Sequence, residues 1–309
     1  MRHTGFAIRF SAAALVPVLL TGCSLQGSRA DTSSYSGTRD NTPSVLTPVT
    51  DSAAVSGNEN VSIDTSHAGD GYLCISYHGD SPKVKFQVTA QNDVTYTYNL
   101  PTDGSPQIIP FSAGDGIYSL GVYTNVEGTL YATEYQEDLE VALEDEYLPF
   151  LFPNQYVWFT EDTAAVAKGA EIVASADTDL DAVSLVYNYV VENLTYDWDK
   201  AESVQSGYLP DVDNILESGT GICFDYAALM ATMLRTQRIP TKLEIGYAGT
   251  TYHAWISTYI QDVGWVDGII QFDGTDWSLM DPTLASTEGT ASAASHLADS
   301  NQYRTCYSY

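Results

Sequence analysis

Hydrophobic periodicity changes near residue 145, and that change restricts the fold more than any other feature. From about 66 to 143 apolar residues alternate with polar ones. Val84, Phe86 and Val88 stand between Lys83, Lys85 and Gln87, and Tyr96/Tyr98 and Tyr118/Leu120/Val122 repeat the pattern. A period of two marks strands with one buried face. Turn residues separate them at His78-Gly79-Asp80-Ser81-Pro82, Pro101-Thr102-Asp103-Gly104 and Gly114-Asp115-Gly116. Several short strands so punctuated predict a small β-sandwich over 66–143. From about 146 the spacing becomes helical. Val183, Val186, Tyr187, Val190 and Val191 fall on one helix face, and Thr178 and Asp181 occupy the positions of a capping box. Asp177, Asp179 and Asp181 also mimic the start of a calcium loop, but Ala182 and Asn188 stand where such a loop needs Gly and Glu. Strands follow the helices. The fold class is therefore α+β, with a β-rich domain at 66–143 and a mixed domain at 146–309.

Upstream of both, Arg2, His3 and Arg9 precede an apolar run at residues 10–20, shorter than the roughly 20 residues that span a bilayer. Leu20-Thr21-Gly22-Cys23 then resembles the lipobox of bacterial lipoproteins. That resemblance implies a signal peptide at 1–22, lipidation of Cys23 and residence on the outer face of the cytoplasmic membrane, held by acyl chains alone. Residues 23–65, rich in Ser, Thr, Gly, Asp and Asn, are expected to form a flexible tether with a reach of about 35 Å. Twelve Lys+Arg against 40 Asp+Glu leave a net charge of −28. Such a balance opposes binding to nucleic acid or to anionic lipid.

Three short stretches carry the chemistry. Gly219-Thr220-Gly221-Ile222-Cys223-Phe224-Asp225-Tyr226-Ala227 reads as a turn entering a helix, with Thr220 the expected N-cap and Pro240 beyond its end. Cys223 then lies in the first turn, where unpaired N–H groups lower a thiol pKa from about 8.5 towards roughly 3.5–7.5. The same cysteine shares a stripe with Ala227, Met230 and Leu234, so a plain core role stays open. In Tyr252-His253-Ala254-Trp255-Ile256, His253 and Trp255 share one strand face. Pro282 holds Asp281 extended at a strand end. Thiol, imidazole and carboxylate follow in the order nucleophile, base, orienter.

Together Gly221-Ile222-Cys223-Phe224-Asp225-Tyr226-Ala227, Tyr252-His253-Ala254-Trp255 and Asp281-Pro282-Thr283 resemble the transglutaminase-like superfamily, which has a papain-like fold. Val191 to Asp197 resembles the segment that precedes the cysteine there. The resemblance covers roughly 146–285. It implies a Cys223–His253–Asp281 triad that attacks a peptide or Gln carboxamide carbonyl and forms a thioester, resolved by an amine or by water. The backbone N–H of Cys223 is one oxyanion donor by geometry, and Tyr196 and Trp255 are candidate cleft residues.

No metal or organic cofactor is implied. The expected partner is a peptide or protein substrate, of which a Lys-bearing one would suit the acidic surface; no nucleic acid is expected. Two other readings remain: a catalytically silent module of this fold, and an envelope adhesin or solute binder whose β-rich domain carries the function. Cys74 and Cys306 could be bridged or free.

Overall fold

The computed structural model describes residues 39–267, 270–272, 277–279 and 303–309, with side chains over 39–266 and 303–309. Strands β1 (Val55–Gly57), β2 (Val61–Asp64), β3 (Tyr72–Tyr77), β4 (Val84–Thr89), β5 (Thr95–Leu100), β6 (Gln107–Pro110), β7 (Gly116–Glu127) and β8 (Leu130–Val141) form two antiparallel sheets, ordered β1-β2-β3-β6 and β5-β4-β7-β8. The period-two residues behave as their spacing requires. Val84, Phe86 and Val88 are buried while Lys85, Gln87 and Thr89 are half-exposed. Tyr96, Tyr98, Tyr118, Leu120 and Val122 join them in one core with Val61, Ile63, Leu73 and Ile75 of the other sheet.

Residues 39–64, read from composition as tether, are ordered: 55–64 supply β1 and β2, and the segment before them contacts the helical half. Arg39 Nε bonds Asp179 at 2.7 Å, and the Ser44 N–H donates to the Thr236 carbonyl at 2.8 Å. Polar residues here satisfy the backbone locally instead of dispersing into solvent. Asn58 Oδ1 accepts the N–H groups of Asn60 and Val61, both at 2.9 Å, and so makes the β1–β2 turn. Val61 and Ile63, at 2% and 0% exposure, then supply the apolar face that composition alone underweights.

The second half contains α1 (Ala164–Ile172), α2 (Asp179–Asn193), β9 (Thr195–Tyr196), α3 (Trp198–Ser203), α4 (Val212–Ser218), β10 (Thr220–Gly221) and α5 (Cys223–Arg235). Strands β11 (Thr241–Ala248), β12 (Thr251–Ile260), β13 (Gly264–Asp267), β14 (Ile270–Phe272), β15 (Trp277–Leu279) and β16 (Tyr303–Ser308) follow. The capping box opens α2 as expected: Thr178 and Asp181 exchange N–H to side-chain bonds, both 3.0 Å. An antiparallel sheet ordered β13-β12-β11-β16 buries Leu243, Ile245, Ala254 and Ile256 in the core that also holds Ala227, Met230 and Leu234 of α5.

The two halves share that core. Residues 147–159 run across the sandwich, where Tyr156 donates its hydroxyl to the Thr97 carbonyl at 3.2 Å and Gln155 donates to the Asn99 carbonyl at 2.8 Å. Tyr309 closes the seam, with ring centroids 5.5, 6.1 and 4.2 Å from Tyr96, Tyr98 and Tyr156. Beside it Arg235, 1% exposed, donates to the carbonyls of Thr241, Phe152 and Tyr309 at 2.9, 2.7 and 2.7 Å. Burial lowers its pKa to about 9, which still leaves a cation at neutral pH.

The bridge left open between Cys74 and Cys306 is not formed; both thiols are free. Cys74 packs with Tyr72, Ile108 and Phe152 on β3, and burial pushes its thiol up to about 12. It is a core residue.

Candidate active site

Helix α5 begins at Cys223, but its entry differs from the expected one. Thr220 is not the cap. It lies in β10, which pairs in parallel with β9, so that Thr195 N–H donates to Gly219 O at 2.8 Å and Asp197 N–H to Gly221 O at 2.9 Å. Gly219 ends α4 at φ 64°, a left-handed value that glycine takes without penalty. The cap residue is Ile222, and Asp225, three residues on, accepts its N–H at 2.8 Å. Gly221 must be small here, because a Cβ would come within 2.7 Å of the Asp225 Cβ.

Asp225 is fully buried and does more than cap. Its carboxylate takes Lys200 Nζ and the Tyr208 hydroxyl, both at 2.5 Å. Lys200 also lies 4.3 Å from the centre of the Tyr208 ring. The segment 197–208 is thereby tied to the first turn of the cysteine helix. That segment presents Trp198, 57% exposed, whose ring lies 4.6 Å from that of Tyr196.

The Cys223 thiol is half-buried. Burial raises its pKa, opposite to the expected direction. The Ala254 N–H, the Tyr196 hydroxyl and the Phe224 N–H oppose that rise, in decreasing order, and the Asp225 charge adds to it. Desolvation wins over the helix terminus because the thiol sits under β12 rather than out in solvent. Among the described residues β13 pairs with β12 over Ser257–Ile260, beyond Ala254. Tyr196 is the partner on the other side; burial and the adjacent thiol push its hydroxyl up to about 12.

His253 precedes Ala254 on β12. It is 7% exposed, burial drives its pKa down to about 4, and its Nε2 has no hydrogen-bond partner among the described residues. At neutral pH it is a neutral imidazole, the state required of a base. Trp255 does not line a cleft. Its ring, 4% exposed, stacks 6.3 Å from His253 at 23°, and its Nε1 donates to Glu244 Oε2 at 2.7 Å. The Glu244 carboxylate also accepts the Ser257 and Ser308 hydroxyls at 2.8 and 3.2 Å. Asp281 and the lipidation candidate Cys23 lie outside the described residues.

The structure thus brings Cys223, Tyr196 and Ala254 together, and places the His253 ring against Trp255 and Tyr303. Periodicity did not point to Lys200, Tyr208, Trp198, Glu244 or Tyr252. Asp225 alone left a trace, as the acid three residues beyond the cap. Among the described residues no group of His, Cys, Asp and Glu could hold a metal ion.

Residues 166–267 match the model of the transglutaminase-like superfamily, inside the span over which the motifs resemble it. Three solved structures are similar. A protein of Cytophaga hutchinsonii described as a cysteine protease is 16% identical, covering 70% of this chain and 68% of that one at a TM-score of 0.35. A protein of Parabacteroides distasonis described as a protease is 10% identical, with coverages of 65% and 61% and a TM-score of 0.30. Red sea bream transglutaminase is 14% identical, with coverages of 69% and 48% and a TM-score of 0.26. No curated protein matches the chain. The fold is mixed α/β, a transglutaminase-like domain preceded by a strand-rich region.

Proposed function

We propose that the chain is a thiol enzyme acting on peptide or Gln carboxamide bonds. The observation that carries this reading is the Cys223 thiol at the start of α5, covered by β12, whose buried and neutral His253 has an Nε2 with no hydrogen-bond partner among the described residues. Thiol and imidazole are both neutral at rest, so the proton leaves Sγ as the carbonyl is attacked. His253 takes it, the C–N bond breaks, and the same proton goes to the departing amine or ammonia. A thioester on Cys223 remains, and a second amine or water resolves it with His253 again moving one proton. Asp281 would hold the imidazole tautomer. The lipidated Cys23 would keep the enzyme on the outer face of the cytoplasmic membrane, and the acidic surface would favour a Lys-bearing acceptor. Incubating the protein with Gln-containing peptides, with and without a primary amine, tests this. Amine incorporation or cleavage that disappears in Cys223→Ala supports it; no product dependent on Cys223 sinks it.

A further inference from the structure

The sheet face that packs on α5 continues past the helix. Leu243 and Ile245 on β11, and Ile256 and Ala254 on β12, cover α5. Two residues further along each strand the same face carries Tyr247 and Tyr252, cross-strand neighbours with ring centroids 5.4 Å apart. The helix ends below them, at Cys223, so this row overhangs the thiol. Tyr252 is 58% exposed, and burial followed by the nearby Tyr307, Cys306, Tyr247 and Cys223 groups raises its hydroxyl pKa.

Arg304 completes the row. In an unbroken β11–β16 ladder continued from Ile245↔Tyr307, Tyr247 would face Thr305, and Arg304 would point to the opposite side. A register shift between Ile245 and Gly246 moves the pairing by one, giving Gly246↔Thr305 and Tyr247↔Arg304. Such a bulge re-aims a side chain. The guanidinium consequently lies 4.8 Å from the centre of the Tyr247 ring. Gly246 makes the bulge possible, since a Cβ there would sit 2.1 Å from the Arg304 carbonyl oxygen.

Most cations near this half of the molecule are already engaged. Arg39, Lys168, Lys200 and Arg238 each lie on a carboxylate, and Arg235 is buried among carbonyls. Arg304 is exposed and has no carboxylate partner among the described residues. Its planar fork can take one through two parallel hydrogen bonds.

We infer that Arg304, on the Tyr247–Tyr252 shelf, binds a carboxylate of the acyl-donor substrate. Two strand spacings, about 9–10 Å, separate β16 from β12, which is the length of two or three extended residues. The carboxylate would therefore sit two or three residues from the scissile carbonyl, as an acidic side chain or a free C-terminus. This rests on Cys223 being the nucleophile.

Matched thiol-directed probes test it. Bromoacetyl-Gly-Gly with a free carboxylate is compared with its amide, and bromoacetyl-Gly-Asp-amide with bromoacetyl-Gly-Asn-amide. The labelling rate of Cys223 is followed by mass spectrometry in the full chain and in Arg304→Gln. At least one acidic probe should label the natural chain roughly tenfold faster than its neutral twin, as one charge-assisted pair would give. That preference should fall to near unity in Arg304→Gln and shrink in 0.5 M salt; which pair shows it identifies the source of the carboxylate. No preference for either acid, or one that survives in Arg304→Gln, overturns the inference. The Gln-peptide assay reads the enzyme reading separately, so either can fail alone.

Discussion

The contact between Lys200 and Asp225 makes a quantitative prediction because its partners are unequally buried. Asp225 is fully shielded, whereas the Lys200 side chain keeps 28% of its surface in solvent. Lys200→Met strands a buried carboxylate with only the Tyr208 hydroxyl and the Ile222 N–H for support. Removing one member of a buried pair costs about 3–5 kcal/mol, and the two surviving bonds place this case near 3 kcal/mol. Asp225→Asn leaves a lysine that can turn to water. Its cost is one capping bond and one buried hydrogen bond weakened, about 1–2 kcal/mol. The double variant should fall well short of the sum of the singles, because removing the carboxylate's charge relieves the stranding. Urea denaturation of the three variants and the natural chain measures these differences. At roughly 2–4 °C per kcal/mol, Lys200→Met should lower Tm by about 6–12 °C. The same change should slow Cys223 alkylation near neutral pH, since the Asp225 charge that raises the thiol pKa loses its counter-ion. A Lys200→Met cost no larger than that of Asp225→Asn, or strict additivity, would refute the reasoning.

Three further outcomes follow from the geometry. His253 titrates at about 4 when folded against 6.5 when free, so the unfolded chain binds the extra proton between those values. Its contribution is fully present above pH 6.5 and decays by about 3 kcal/mol as pH falls to 4. Stability curves of the natural chain and His253→Gln should therefore diverge over that window, and parallel curves would count against a buried neutral imidazole. Tyr309→Ala should cost about 3–5 kcal/mol in denaturant, as loss of a large buried ring does; a change under 1 kcal/mol would mean the seam is not held there. Gly246→Ala should abolish any preference for acidic probes while leaving iodoacetamide labelling of Cys223 within about twofold, because the new Cβ meets the Arg304 backbone rather than the thiol. An unchanged preference in Gly246→Ala would show that the bulge does not set the Arg304 direction.

Local pattern by itself determined a good deal about this protein. The alternation at 84–88, the amphipathic run at 183–191 and the Gly221-to-Ala227 motif each depend on neighbours within a few residues, so strand, helix and a cysteine at a helix start were legible without a fold. What tertiary structure decided involves partners far apart in sequence. The Cys223 thiol is raised rather than lowered because β12 covers it, a burial no helix-terminus argument contains. Residues 39–64 read as tether because Ser, Thr, Gly, Asp and Asn together outnumber their apolar residues, yet Val61 and Ile63 needed only a waiting sheet to order them. Trp255 alternates with Ala254 as a cleft residue would, but Glu244, eleven residues earlier on the next strand, takes its N–H into the interior. Arg304 faces the thiol's side of the sheet through a one-residue bulge, and a shift of one reverses every side chain beyond it. The periodicity change near residue 145 marked two folding patterns; the tyrosines that join them came from both sides of it, Tyr309 from just after β16. Period reports which face a residue takes, and only packing reports what that face meets.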